Sequence, residues 1–142
     1  MQFYKLQAAG NDFIFIDDTR FVPDQDRIQK MCDRHYGIGS DGLVFLKPKS
    51  GIEFDWVFFN PDGREAEMCG NAARATTWFL HQQKKMNEVL VNTKVGSFRG
   101  SVLGPQNVAI ETDIPKAQIR TIKNLFSSRF AQGTLTNTGV PH

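Results

Sequence analysis

Asn60-Pro61-Asp62-Gly63-Arg64-Glu65-Ala66-Glu67-Met68-Cys69-Gly70-Asn71-Ala72-Ala73-Arg74 is the stretch on which the reading of this 142-residue chain turns. Pro-Asp-Gly is a tight-turn signal that ends the apolar run Ile52 to Asn60. The residues after it, Glu65 to Met68, return as the second arm of a hairpin. Cys69 then falls on the first turn of a helix that runs to about Lys85. Unpaired backbone N–H groups and the positive end of the dipole gather at such a terminus. A thiol placed there is biased toward thiolate, and the neighbouring amides suit a carboxylate. Cysteine, amide donors and a sharp turn within fifteen residues read as an active site.

Outward from this stretch the chain alternates short strands with two helical segments. Met1 to Ala8 and Phe13 to Asp17 are aromatic and β-branched runs separated by the turn signal Gly10-Asn11-Asp12. From Asp24 to His35 the apolar residues Ile28, Met31 and Cys32 share one helical face, with charges opposite. Gly37, Gly39 and Gly42 force a loop ahead of the strand Leu43 to Leu46. The helix from Cys69 is apolar nearly all round at Ala72, Ala73, Ala75, Trp78, Phe79 and Leu80, which marks an element enclosed by others. Its end, His81 to Lys85, is polar and reads as solvent-facing. Strands follow at Val89 to Asn92, Ser97 to Leu103 and Asn107 to Glu111. Pro115 to Phe130 is open between helix and irregular structure, and Thr134 to Thr138 reads as a last strand. The expected architecture is α+β, one domain whose mixed or antiparallel sheet curls, barrel-like, around a central buried helix. The ending Gly139-Val140-Pro141-His142 reads as a chain cut short.

Composition narrows the function. Apolar residues make up 40%, with twelve Phe, so a packed core is attainable in a chain of this size. The net charge is +2, from 17 basic and 15 acidic residues without a basic stripe, which argues against nucleic acid as a partner. No apolar run approaches a membrane span, and the N-terminus lacks the pattern of a secretory signal. Two cysteines make no disulfide framework, so a reduced, cytoplasmic protein is expected.

Each candidate residue has a plainer reading beside the functional one. A lone cysteine is usually an inert buried hydrophobe. Gly70, which lets a ligand approach the backbone, Asn71 with its amide, and the helix start favour function for Cys69. Arg64 and Arg74 would lower its pKa if close, and Glu65 and Glu67 would oppose that. Asn11 and Asn60 adjoin turns, where Asn serves its own backbone; a ligand-orienting role stays open beside that one. Cys32 and His35 form a C-x-x-H pair, but two ligands are half a zinc site, and Cys32 lies on an apolar face, so core packing is the reading. Glycines 37, 39 and 42 precede no clear helix, and no Gly-Lys-Ser/Thr is present, so they are not read as a nucleotide loop. His142, next to a proline, means little alone.

Several separate blocks together resemble diaminopimelate epimerases. They are Gly10-Asn11-Asp12-Phe13, the stretch from Asp33 to Gly42, Asn60 to Arg74, and Thr138-Gly139-Val140-Pro141-His142. The resemblance spans residues 1–142 but only the N-terminal half of the family's protein. It implies two similar domains, each a curled sheet around a helix, with the active site between them. It also implies an isomerase that needs neither pyridoxal phosphate nor metal, so no cofactor is expected. That enzyme converts LL-diaminopimelate, its small amino-acid substrate, to the meso form, on the route to lysine and cell wall. One thiolate removes the α-proton and a thiol from the other domain returns one on the opposite face. By position, Cys69 resembles the N-terminal catalytic cysteine. His142 resembles a histidine that tunes the thiols. Asn11, Asn60, Gly70 and Asn71 resemble substrate-binding residues.

Gly42 stands where many members carry a glutamine, and Val140 replaces the usual asparagine. Ala72 and Ala75 replace the commoner glycine and cysteine. With a single candidate thiol, residues 1–142 alone are expected to be inactive. Their partners are expected to be the missing C-terminal domain of the same protein and, through an exposed apolar face, a second copy as a homodimer. A proline racemase-like isomerase of the same fold and a non-catalytic binding domain are the alternatives.

Overall fold

The computed structural model describes residues 2–105 and 107–112 in full, and residues 120–126 and 130–135 as backbone. Its strands are β1 (Tyr4–Ala8), β2 (Asn11–Ile16), β3 (Gly42–Pro48), β4 (Glu53–Phe59), β5 (Glu65–Ala66), β6 (Glu88–Thr93), β7 (Gly96–Gly104), β8 (Asn107–Thr112), β9 (Arg120–Phe126) and β10 (Phe130–Leu135). The helices are α1 (Gln25–Cys32) and α2 (Gly70–Lys84). One mixed sheet runs β1-β2-β3-β4-β6-β7-β8, with β5 paired to β4, and β9 and β10 form a separate antiparallel pair. β2 with β3 and β4 with β6 are parallel; the other pairs are antiparallel. Parallel neighbours need a crossover, and α1 and α2 are those two crossovers.

The curled mixed sheet around a helix matches the expected α+β architecture, with α2 packed inside the curl. Side-chain alternation along β2 explains how. Phe13 and Phe15 join Val44, Leu46, Trp56 and Phe58 in the core around Ala72, Ala73, Ala75, Phe79 and Leu80 of α2. Ile14 and Ile16 point the other way, to Leu43, Phe45 and Phe59, where Ile28 and Cys32 of α1 cover them. β2 and β3 are thus buried on both faces, which is why their sequences are unbroken apolar runs. Each such Phe, Leu or Ile contributes about 1.5–3 kcal/mol by leaving water.

Three boundaries differ from expectation. The first turn is Ala9-Gly10, both at positive φ (49° and 90°), so Asn11 and Asp12 belong to β2 rather than to the turn. Such two-residue turns match the twist of a hairpin. The return strand after Pro61-Asp62-Gly63 is only Glu65–Ala66, because pairing to Phe58 and Phe59 stops there. Within Pro115 to Phe130, open by sequence between helix and irregular structure, residues 120–126 are the strand β9, Phe130 opens its partner β10, and the rest lie outside the described residues. Of the expected strand Thr134 to Thr138, the first two residues lie in β10 and the remainder lie outside the described residues.

At the end of α2, residues 82–85 are exposed as expected and His81 alone departs. His81 is half-buried rather than solvent-facing, with Nδ1 3.1 Å from the Met86 carbonyl and its ring 5.4 Å from that of Trp78. Among the described residues no helix is long and apolar enough to cross a membrane.

Candidate active site

β4, its turn and β5 deliver the chain to the start of α2. Asn60 N–H donates to the Arg64 carbonyl and Gly63 N–H to the Asn60 carbonyl, each at 2.9 Å. Gly63 takes φ 77°, and a Cβ there would sit 2.3 Å from the Gln25 carbonyl at the start of α1, so the turn requires glycine. Cys69 is the N-cap residue of α2, extended at φ −141°, and its side chain bonds no helix amide. The first helical bond is Ala73 N–H to the Cys69 carbonyl, 2.9 Å, which leaves the N–H groups of Gly70, Asn71 and Ala72 ahead of the ladder. No acidic residue stands in that first turn.

A cavity of about 670 Å³ opens at this helix end, lined by Asn11, Asn60, Cys69, Gly70, Asn71 and Arg74 on its polar side. Phe13, Phe58, Ala66, Met68 and Ile110 supply the apolar wall, and Asp41 and Thr112 also line the cavity. Five of the six residues singled out in the sequence therefore meet on one surface. The sixth, His142, lies outside the described residues. Asn60 serves its turn through its backbone, while its side-chain amide forms no hydrogen bond among the described residues, and the residue lines the cavity.

Of the four charged neighbours weighed for Cys69, Arg74 alone lines the cavity. Its Nη1 donates to Asn71 Oδ1 at 3.0 Å. Glu65 pairs with Lys94 at 3.7 Å, and Arg64 lies 3.9 Å from Asp62.

The amides of Asn11 and Asn71 are tied together and to a charged cluster that sequence reasoning missed. Asn71 Nδ2 donates to Asn11 Oδ1 at 2.8 Å, and Asn11 Nδ2 donates to Asp41 Oδ2 at 3.0 Å. Arg34 Nη2 reaches both Asp41 Oδ1 and Asp12 Oδ1 at 2.7 Å, and Lys5 Nζ lies 2.9 Å from Asp12. The Arg34 guanidinium holds the Asp12 carboxyl far below the usual range. The bond from Asn11, then the Asp12 backbone N–H, lower Asp41. Nothing in the spacing of Asp12, Arg34 and Asp41 marks them; the signal is that Asp12 lies in the Gly10 to Phe13 block and Arg34 and Asp41 in the Asp33 to Gly42 stretch quoted above.

Cys32 is part of the second core, 3% exposed, with Ser40 Oγ donating to its sulfur at 3.2 Å. His35 is exposed, and no cluster of metal-binding side chains exists among the described residues. At Gly42 a Cβ would meet the Phe58 ring at 2.7 Å and the Phe59 carbonyl at 2.8 Å, so Phe58 fills the space a longer side chain would need.

Comparison with solved structures defines the fold class. The fold is that of epimerase and PhzF-type structures. A Pseudomonas aeruginosa protein described as a predicted epimerase superposes with a TM-score of 0.68 at 16% identity, covering 98% of this chain and 56% of that one. A PhzF-family phenazine biosynthesis protein from Bacillus anthracis gives 0.63 at 15% identity, over 89% and 45%.

The diaminopimelate epimerase family model matches residues 3–118, and the chain belongs to that family. Diaminopimelate epimerase of Campylobacter jejuni (strain 81116) is 35% identical over 143 residues, which cover all of this chain and 55% of that protein. The Aquifex aeolicus enzyme is 36% identical over 157 residues, covering 100% and 56%. The chain thus spans about half the length of the curated relatives it matches.

Proposed function

We propose that residues 1–142 are the N-terminal domain of a cytoplasmic diaminopimelate epimerase, bearing one of two catalytic thiols and half of the substrate site. The observation that carries this reading is the cavity at the N-terminus of α2, shared by Cys69, Gly70, Asn71, Asn11 and Asn60.

The α-proton of an amino acid is weakly acidic, so its removal needs stabilisation of the carbanion charge that develops. Gly70 and Asn71 N–H groups at the helix end, aimed at the α-carboxylate, stabilise that charge where it forms. Asn11 and Asn60 orient the remaining polar groups of the substrate. Cys69, as thiolate, takes the proton; a thiol of the C-terminal domain delivers one to the opposite face, and the stereocentre inverts. His142 tunes the two thiols. Phe13, Phe58, Met68 and Ile110 keep competing water from the reacting carbon.

The test is solvent-deuterium incorporation at the α-carbon of diaminopimelate. Residues 1–142 alone are expected to give none, and mixing with the separately purified C-terminal half restores it. Cys69→Ser in the mixture lowers the rate by about 10²-fold or more. Turnover by the isolated 142 residues overturns the assignment of half a site.

A second reading, an isomerase of the same fold acting on a smaller or cyclic amino acid, draws on the Phe58 ring that occupies the space beside Gly42. Faster exchange on cyclic imino acids than on diaminopimelate would select it.

A further inference from the structure

A hydrogen-bonded chain of side chains crosses the polar side of the Cys69 cavity, with a carboxylate at one end and a guanidinium at the other. It runs from Arg74 Nη1 to Asn71 Oδ1 (3.0 Å), from Asn71 Nδ2 to Asn11 Oδ1 (2.8 Å), and from Asn11 Nδ2 to Asp41 Oδ2 (3.0 Å). The two ends of an asparagine amide have nearly the same shape, so only its partners determine which way it points. An ionised Asp41 accepts and cannot donate, so Asn11 must turn Nδ2 toward it. Asn11 Oδ1 then only accepts, so Asn71 must turn Nδ2 toward Asn11. That leaves Asn71 Oδ1 for Arg74, which only donates. Reversing the chain would set a carbonyl against a carboxylate and an NH₂ against a guanidinium. Asp41 itself is held by Arg34 Nη2 at 2.7 Å and by the Asp12 N–H at 3.1 Å.

We propose that Asp41 is a positioning residue: through Asn11 it sets which end of the Asn11 and Asn71 amides faces a bound carboxylate, and Arg74 secures the far end. Each amide keeps one N–H outside the chain, and the polarity of the chain decides where those two donors stand. The proposal rests on the reading of Asn11 and Asn71 as substrate-binding residues, but its first two tests need no turnover.

In ¹⁵N-resolved NMR of the 142-residue chain, the hydrogen-bonded side-chain proton of Asn11, and that of Asn71, should lie downfield of the matching proton of solvent-exposed asparagine side chains and exchange with water more slowly. Shifts and exchange rates on both residues like those of an exposed asparagine overturn the proposal, without recourse to any variant. The second test is a double-mutant cycle between positions 41 and 71, whose hydrogen-bonded path among the described residues runs through Asn11. Asn71→Asp sets an acceptor-only group against Asn11 Oδ1. In Asp41→Asn/Asn71→Asp, Asn11 is free to turn round, donating to the new carboxylate and accepting from the new amide. The double variant should melt about 3 °C higher than the two single effects summed. Additivity overturns the proposal.

In the reconstituted enzyme, Asp41→Asn should lower kcat/KM about 10–100-fold, chiefly through KM. A reconstituted enzyme inactive on diaminopimelate fails the proposed function and leaves the amide readouts to decide this point. An active enzyme whose kcat/KM is unmoved by Asp41→Asn overturns it.

Discussion

Two thiols in one short chain have opposite surroundings. Cys32 is enclosed by Ile14, Ile28 and Phe45 in the core beneath α1, and burial pushes its thiol pKa up. Cys69 is half-buried, caps α2 without a side-chain bond, and borders an open cavity. Reactivity follows access and thiolate character. Brief iodoacetamide treatment of the folded chain near neutral pH should therefore label Cys69 at least about tenfold faster than Cys32, read by peptide mass spectrometry. Preferential labelling of Cys32 would contradict the described cores. At this scale the sequence was informative because cysteine type and helix position are local facts: apolar periodicity put Cys32 inside, and the turn followed by an apolar run put Cys69 at a helix start. The role of Asn60 was less legible, since turn chemistry and ligand contact call for the same residue. The structure shows its backbone engaged in the turn and the residue at the wall of the cavity, so it meets both descriptions.

Among the elements, α2 depends on how closely it seats against the strands. Thr76 and Thr77 are buried and bond the Ala72 and Ala73 carbonyls at 2.8 and 3.0 Å, so their hydroxyls cost little in the core. Thr77 also presses on β7, where a Cβ at Gly100 would fall 2.0 Å from its Oγ1 and 2.9 Å from its Cβ. The Thr77 Cβ is fixed to the helix backbone and its Oγ1 is held by the bond to the Ala73 carbonyl, so neither moves aside without loss. Gly100→Ala should destabilise the chain by about 1–3 kcal/mol, a fall of roughly 3–10 °C in Tm, and Thr77→Ala in the same chain should recover part of it. An unchanged Tm would mean that helix and sheet are less closely seated than described. Element type was largely readable here, because the two helices and most strands announce themselves by period. Ends were less so. Ala9 takes a left-handed conformation that nothing in its side chain favours, and β5 ends at Ala66, opposite Phe58, although β4 runs on to Glu53 and pairs there with β6.

Across the whole molecule, Arg34 fastens the loop after α1 to β2 and to the approach to β3 through Asp12 and Asp41. Both carboxyls are held below their ordinary value, Asp12 chiefly by Arg34 and Asp41 chiefly by Asn11. A lowered folded pKa gives stability that is present above the unfolded value of about 3.9 and lost as pH falls through the folded one. Arg34→Ala should therefore lower Tm at neutral pH, with the gap to the unsubstituted chain narrowing once pH drops below about 3.9. The effect is modest, since the Arg34 side chain remains 55% exposed and solvent screens it. A gap that widened in acid would reverse the sign and refute the linkage.

What the sequence alone determined was local: the helix and strand periods, the turn at Pro61-Asp62-Gly63, and a cysteine at a helix start. Those follow from the backbone preferences and side-chain spacing of neighbouring residues. The apolar surface of α2 on nearly all sides already marked it as the enclosed helix; tertiary structure alone decided that α1 covers the outer face of β2 and β3. It alone brought Asn11 to Asp41, 30 residues away, and to Asn71, 60 residues away. Polar contacts over such separations have no period; they exist only once parallel strand pairing, driven by apolar burial on both faces of the sheet, has set the distances between them.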